Sequence, residues 1–533
     1  MNERVQWLPH LRDSIPVEAY GYSVSMYSIA LEGWRRGLTL KFTNNNRSKS
    51  VIRYSLSDGM KEHHFMGAQG DLITKEAIRI CKDKYLTKKY LSEAGVSIPE
   101  GEYFSQNISD PEIISFADKL GYPVVVKPTN AAGGRGVIAN IKNQEEFKKA
   151  LHYVRHELNY KDLIVEKYFS GEDYRVLVIG DKVVGAIHRI PANVIGDGKS
   201  TIKKLLDSKI KEKKQNPALT GSPIKIDKEM HSILQQQGYT LDSIPEKGER
   251  IFLKTKSNIS AGGDPIDVTD MLTDEIKQNA VNALKAIPGL VQGGVDVLYN
   301  KESQKSVILE INTIPSIRTH LFPVEGKARD VPKAIIDYYF PETVSNHNKP
   351  LYYFDIAPVF ETFSNRTIKE VVIPDMPQGD LCSRQLKVYG IERVNRYMRH
   401  VHKYAKSLKL NGFIKNLSKS SVLIVISGPR DVVETFINNV KNNKIKFVKA
   451  KKVTQDDWEK PVKIGFQVIK SETASKPAKK ESNGVSLKEY NKVVEERDFY
   501  KQEYINMRES KSWKLTQPIR SFKKYFRKNN KDR

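Results

Sequence analysis

Residues 122–137 read Tyr-Pro-Val-Val-Val-Lys-Pro-Thr-Asn-Ala-Ala-Gly-Gly-Arg-Gly-Val, and this stretch decides the fold. Val124–Val126 is apolar on both faces, the signature of a strand covered on both sides rather than half-solvated. The strand delivers Lys127 and then breaks into a loop carrying Gly133, Gly134 and Gly136. Without a Cβ, such a loop brings backbone N–H groups close to a polyphosphate. No Gly-Lys-Ser/Thr follows, so it is not a Walker A loop, and it lacks the G-x-G-x-x-G spacing of dinucleotide sites. Taken alone it also has a plain reading as a tight turn.

Outward from that strand, further strand-like runs at Leu163–Val165, Val176–Ile179 and Val307–Glu310 alternate with amphipathic helical patterns. The helical patterns cover Lys84–Ala94, Gln144–Leu158 and Glu275–Ala286. Strands embedded between helices predict an α/β or α+β nucleotide-handling region. Far downstream, Asp296 follows a glycine pair, and Glu310 and Asn312 stand two apart on a strand, hence on one face. Two carboxylates and an amide oxygen are hard ligands that suit Mg²⁺. Either acid alone reads equally as a surface carboxylate; with the lysine strand upstream, the metal reading wins.

Composition sets the outer limits. The 533 residues suffice for about three or four domains. Lys and Arg outnumber Asp and Glu by 88 to 63, so anionic partners are favoured. No apolar run approaches the roughly 20 residues that span a bilayer, and Met1–Arg12 lacks the apolar core of a secretory signal. Cys81 and Cys382 are too few and too distant for a disulfide framework or a zinc site. A reduced, cytoplasmic setting is expected.

By composition the chain divides into residues 1–80, a small α/β lead-in; 81–345, the nucleotide-handling region; 346–470, a second α+β unit; a linker at 471–486; and 487–533, an amphipathic or coiled helix with a basic tail. The tail interleaves Trp513, Phe522, Tyr525 and Phe526 with Lys523, Lys524, Arg527 and Lys528. That mixture suits an anionic membrane surface, and hence a peripheral place at its inner face; a solvated disordered tail is the competing reading. Nucleic acid is not expected, because no recognised binding module accompanies the charge.

The region from Asp83 to Pro341 resembles the ATP-grasp superfamily, specifically the carboxylate–amine ligase domain of cyanophycin synthetases and bifunctional glutathione synthetases. The carrying residues are Asp83-Lys84 with Thr87-Lys88, the Lys127 strand and glycine loop, and Val165-Glu166-Lys167 with Gly171-Glu172-Asp173-Tyr174-Arg175. Arg189-Ile-Pro-Ala, Gly196-Asp197-Gly198-Lys199, Ser257 to Asp270, and Asn312 to His320 complete the set.

The resemblance implies ATP and Mg²⁺ (or Mn²⁺) as cofactors, and small-molecule or peptide carboxylate and amine substrates joined through an acyl phosphate. It assigns Lys84, Lys127, Gly133 and Gly134 to the phosphates, Glu166 and Lys167 to adenine, and Asp173 to ribose. Asp296, Glu310 and Asn312 go to the metal, and Arg189 to the γ-phosphate or acyl phosphate. Asn258, Ser260, Gly262 and Gly263 go to the reacting end, and Arg318 to a substrate carboxylate. The chain departs from the family pattern at Ala131, Ala132, Asn193, Lys254 and Ser316, mostly on the substrate side.

Gln385–Val440 resembles the acylphosphatase fold, a ferredoxin-like sandwich. Counted from Gly390, Asn416 falls on that family's water-orienting asparagine, but Met398 stands at its arginine, with Arg396 and Arg399 nearby. A catalytically silent domain is the expectation. The whole chain is therefore read as α+β: an ATP-grasp fold with a small N-terminal lead-in, an acylphosphatase-type α/β sandwich and a helical basic tail. It is expected to be an ADP-forming ligase, with peptide or cell-envelope polymer synthesis as a setting and a homo-oligomer compatible with it. A non-catalytic ATP-binding scaffold docked at the membrane is the main alternative, and an acylphosphatase hydrolase the weaker one.

Overall fold

Val124–Pro128 lies inside a four-stranded antiparallel sheet, ordered Gly101–Phe104, Leu163–Lys167, Val124–Pro128, Ile138–Ile141. The computed structural model describes residues 5–44, 52–131, 135–345, 351–364, 368–445 and 449–469. Gly133, Gly134, the linker and the tail read above as membrane-facing lie outside these.

Alternation sorts the faces of this sheet. Val124, Val126 and Val165 pack with Ile113, Ala117, Phe147 and Leu151 from helices Asp110–Leu120 and Gln144–His152. The opposite face therefore carries Val125 and Lys127 beside their cross-strand partners Glu166 and Ile164. Asn143 starts the second helix by accepting the Glu146 N–H at 2.9 Å, while the Glu146 carboxylate accepts back from the Lys142 N–H at 2.8 Å.

A second, five-stranded antiparallel sheet follows, ordered Asp264–Asp267, Lys182–Ile190, Glu172–Ile179, Gln292–Asn300, Lys305–Asn312. Val176, Val178, Val295, Val297 and Ile308 face helix Asp274–Lys285. The other face brings Arg175, Asp296 and Glu310 into one row across three strands. Helix Lys84–Glu93 packs on the last of these strands. Between the second and third strands in chain order lies an insertion with helices Ile202–Gln215 and Lys228–Gln236 and its own small core of Ala192, Val194, Leu206, Met230 and Leu253.

The lead-in is less separate than its composition suggests. Helix Ser23–Arg35 is buried almost all round. It packs against a sheet ordered Glu370–Val372, Thr39–Asn44, Ile52–Ser57, Glu62–Met66, Gln69–Gly70. Residues 351–364 and 368–376, grouped by composition with the second α+β unit, are thus part of the N-terminal layer: Val371 pairs with Phe42, Trp34 Nε1 donates to the Pro374 carbonyl at 2.8 Å, and Tyr27 donates to the Phe354 carbonyl at 2.7 Å. An edge strand that short has no apolar period to announce it.

From Leu381 the chain forms β-α-β-β-α-β: Leu381–Tyr389, Val394–Ser407, Asn411–Ser418, Ser421–Pro429, Arg430–Lys441, Lys452–Asp457. Strand order is fourth, first, third, second, the ferredoxin-like arrangement, with Phe466–Ile469 added in parallel at the far edge. One face packs on its two helices through Leu386, Val401, Ile424 and Phe436. The other is also covered, because Val425, Phe413 and Leu423 join the core that holds Trp34 and Phe354. Among the described residues no helix is long and apolar enough to cross a membrane.

Candidate functional site

The cleft between the four-stranded and five-stranded sheets is built from paired charges. Lys127 and Glu166 face it from neighbouring strands, and their side chains meet at 2.5 Å, both almost fully buried. Lys88, one turn after Lys84 on its helix, takes the other Glu166 oxygen at 2.5 Å. Burial pushes the Glu166 carboxyl up, but the two ammonium groups outweigh it and hold the group below its ordinary value.

Across the cleft, burial raises and Arg175 and Arg189 lower the Asp296 carboxyl, and the arginines win. Arg175 bonds both its oxygens, through Nε and, at 2.9 Å, through Nη2. Arg189 reaches Asp296 at 3.3 Å and also pairs with Asp173. Glu310 sits in register with Asp296, and Asn312 Nδ2 donates to Glu310 Oε1 at 3.2 Å, so the predicted shared face exists. Lys84 joins the halves: its ammonium donates to the Ala131 carbonyl at 2.7 Å and stands 3.9 Å from Glu310. Burial lowers the Lys84 pKa, with Glu310 opposing and Lys127 adding to the fall.

Other expected residues sit elsewhere. Lys167 turns its ammonium to the carbonyls of Leu120 and Gly121, capping the C-terminus of Asp110–Leu120 at 2.9 Å from the latter. Asn258 and Ser260 lie on a turn running into Gly262, whose φ of +99° is a left-handed conformation that favours glycine. A Cβ at Gly262 would lie 2.6 Å from Ile224. Lys213 pins this turn by donating to the carbonyls of Gly262 at 2.8 Å and Gly263 at 3.0 Å. Arg318 makes no ion pair with this network and lies against Tyr22 and Ser222 instead.

Reading by sequence missed the roles of Lys88 and Arg175. Both were signalled: Lys88 is four residues beyond Lys84 on a helix, and Arg175 two beyond Asp173 on a strand. No group of three or more His, Cys, Asp or Glu poised for a metal occurs among the described residues. The donor set here is different, two carboxylates and an amide oxygen, oxygen ligands of the kind Mg²⁺ takes alongside phosphate and water.

In the ferredoxin-like unit, Arg393, Arg396, Arg399, Asn416 and Lys419 line a cavity of about 650 Å³ at the start of helix Val394–Ser407. Met398 points into the core instead, so the cations at this cavity come from its neighbours in the chain.

Comparison with known proteins agrees with both sheets. Residues 81–317 match the ATP-grasp domain family and residues 385–468 the acylphosphatase family. Cyanophycin synthetase of Crocosphaera subtropica is 35% identical over 275 residues, covering 50% of this chain and 31% of that protein. The glutathione biosynthesis bifunctional protein of Clostridium perfringens is 32% identical over 336 residues, covering 60% and 41%. The crystal structure of a bifunctional glutathione synthetase from Pasteurella multocida is 28% identical, with a TM-score of 0.45 over 56% of this chain and 42% of that one. The chain spans less than half the length of each of these relatives. Its cleft is that of an ATP-grasp domain, and the sandwich that follows is a domain of the acylphosphatase family.

Proposed function

We propose that the chain is an ATP- and Mg²⁺-dependent ligase that activates a carboxylate and joins it to an amine, with Mn²⁺ an acceptable substitute. The observation that carries this is the position of Lys84, in contact at once with the start of the loop that follows the lysine strand and with the acidic strand. A triphosphate laid between the sheets would meet Lys84, Lys88 and Lys127 from one side and Arg175 and Arg189 from the other. With the Glu166 and Lys167 side chains engaged, adenine would meet that hinge through its backbone, and Asp173 is the acid nearest to a ribose role.

Asp296, Glu310 and Asn312 would hold Mg²⁺, which when bound would draw negative charge off the phosphates. The carboxylate oxygen of the acid attacks the γ-phosphorus as the bond to ADP breaks, giving an acyl phosphate. The amine nitrogen then attacks the acyl carbon, loses a proton, and phosphate departs with the bonding pair. The chain's share is placement and charge neutralisation. Arg189 is suited to it because its guanidinium is already desolvated and oriented by two carboxylates. The Asn258–Gly263 turn, pinned by Lys213, lines the reacting end.

Release of ADP and phosphate from the purified chain, with ATP–Mg²⁺ and a matrix of amino acids and short peptides, tests the reading. Turnover that requires both an acid and an amine is expected. Nucleotide binding with no such turnover would instead establish the scaffold alternative.

A further inference from the structure

Helix Val394–Ser407 carries one sign of charge. Its buried side is Val394, Tyr397, Met398, Val401 and Ala405; the rest holds Arg396, Arg399, Lys403 and Lys406, with no Asp or Glu anywhere in the helix. Spacings of three, four and three residues align these four cations along one line about 15 Å long. Glu392, Asp431 and Glu434 are the only acids between Leu381 and Ile445, against thirteen Lys and Arg.

Like charges at this spacing weaken a helix, and surface helices elsewhere in the chain pair theirs. Helix Gln144–His152 sets Lys148 2.8 Å from Glu145, and helix Lys75–Lys82 sets Arg79 2.5 Å from Glu76. Arg399, Lys403, Lys406 and Lys444 are exposed and have no ion-pair partner among the described residues.

The line runs between two hollows. Arg393, Arg396, Arg399 and Lys419 stand at the cavity of about 650 Å³ at its start. His400, Lys403, Tyr404, Asn439 and Lys444 line a second, of about 470 Å³, between this helix and the end of helix Arg430–Lys441. Tyr404 is engaged there: its ring stacks on Phe436 at 5.5 Å and its hydroxyl accepts from Asn439 Nδ2 at 2.6 Å. No large apolar side chain of the helix is exposed.

These features select the chemistry of a ligand. A helix that enters a bilayer surface brings apolar side chains beside its cations, and this one has its apolar side in the domain core. Single-stranded nucleic acid is held by aromatic faces on which bases stack, and the ring at this groove is already stacked. A single-signed line without either feature suits a flexible chain of repeated anionic groups, whose counterions it displaces.

We propose that the outer face of helix Val394–Ser407, together with Lys444, docks a linear polyanion without aromatic bases, a chain of phosphate or carboxylate groups. Charge complementarity carries the assignment, and it stands whether or not the chain is a ligase. The surface is the length of the helix, so a single phosphate ion does not satisfy it.

Fluorescence anisotropy of end-labelled polyphosphate and of poly-L-glutamate, titrated with the full chain over a range of salt, tests it. At least one polymer is expected to bind, polyphosphate alone marking a phosphate chain and polyglutamate alone a carboxylate chain. The triple variant Lys403→Glu, Lys406→Glu, Lys444→Glu is expected to raise Kd at least about tenfold and to flatten the salt dependence. Lys148→Glu, Lys149→Glu, Lys285→Glu, the same change of net charge on other helices, is expected to stay within about twofold. The basic residues beyond position 470 are common to every variant, so the comparison cancels them. Orthophosphate at equal phosphate concentration is expected not to compete. The corresponding Gln triple decides the matter if the Glu triple does not fold. Equal losses in the two Glu triples, no binding by the wild type, or competition by orthophosphate overturns the proposal. So does tighter binding of duplex DNA or of phosphatidylglycerol vesicles that the same reversals abolish.

Discussion

The ATP-grasp cleft and the cavity of the acylphosphatase-family domain both gather cations, but they handle them in opposite ways. In the cleft each cation of the described network has a carboxylate within reach: Lys88 and Lys127 share Glu166, Lys84 approaches Glu310, and Arg175 and Arg189 hold Asp296. In the cavity Arg393, Arg399 and Lys419 form no ion pair among the described residues. A charge-compensated cleft is organised before its ligand arrives, and ligand binding exchanges partners instead of creating them. That is the electrostatic preorganisation catalysis needs. The cavity's Arg393, Arg399 and Lys419 have no such oriented counter-charges among the described residues, and Met398 lies in the core.

The sharpest way to break the comparison is Glu310→Gln. If the acidic row serves Mg²⁺, ADP release should fall by at least about 100-fold. The fold should persist, because a half-exposed pair at 3.9 Å contributes little to stability. Full turnover by this variant would remove the metal assignment and with it the functional contrast between the two regions.

Lys127→Met asks whether the cleft's pairs also hold the structure. It leaves Glu166 buried with Lys88 alone, so urea unfolding should show a loss of about 3 kcal/mol, the low end for breaking a buried pair. Arg399→Met, in the cavity, should stay within about 0.5 kcal/mol of wild type. Equal effects would mean that the two sets of cations are not differently embedded.

His320 sharpens the cleft side of the contrast through pH. It is fully buried, neither ring nitrogen has a hydrogen-bond partner among the described residues, and burial, with Arg175 nearby, lowers its pKa to about 3. Below 6.5 the unfolded chain takes up a proton that the folded one refuses until about pH 3, so stability falls as the medium is acidified through that window. Between pH 7 and 5 the loss is about 2 kcal/mol. Urea unfolding at both pH values should show it in the wild type and show a flatter dependence in His320→Leu. Parallel slopes would mean that the ring is accessible to protons in the fold.

What the sequence revealed follows the range of the interactions involved. The buried valine strand and the Glu310–Asn312 face are local patterns, and both could be read directly. The partners of Glu166 could not, since Lys127 is 39 and Lys88 78 residues away. Composition cannot show which cation a buried acid will choose. Val371 was assigned to the wrong layer for the same reason: its pairing with Phe42 crosses more than half the chain. Nor does the motif around Lys167 show that a helix C-terminus 46 residues away supplies the carbonyl its ammonium takes.

The smallest expected effect bears on the cavity. Asn416 lies among Arg393, Arg399 and Lys419, and its buried Oδ1 has no hydrogen-bond partner among the described residues. Asn416→Asp keeps the shape and places a carboxylate among Arg393, Arg399 and Lys419, none of which is ion-paired among the described residues. If the cations there repel one another across shared space, the variant should gain about 0.5 kcal/mol in low salt. The gain should vanish near 1 M NaCl, where the screening length is about 3 Å. Urea midpoints at the two salt concentrations decide it. A loss at low salt would mean that burying the new carboxylate costs more than the arginines return, and that the cavity is less positive than its lining implies.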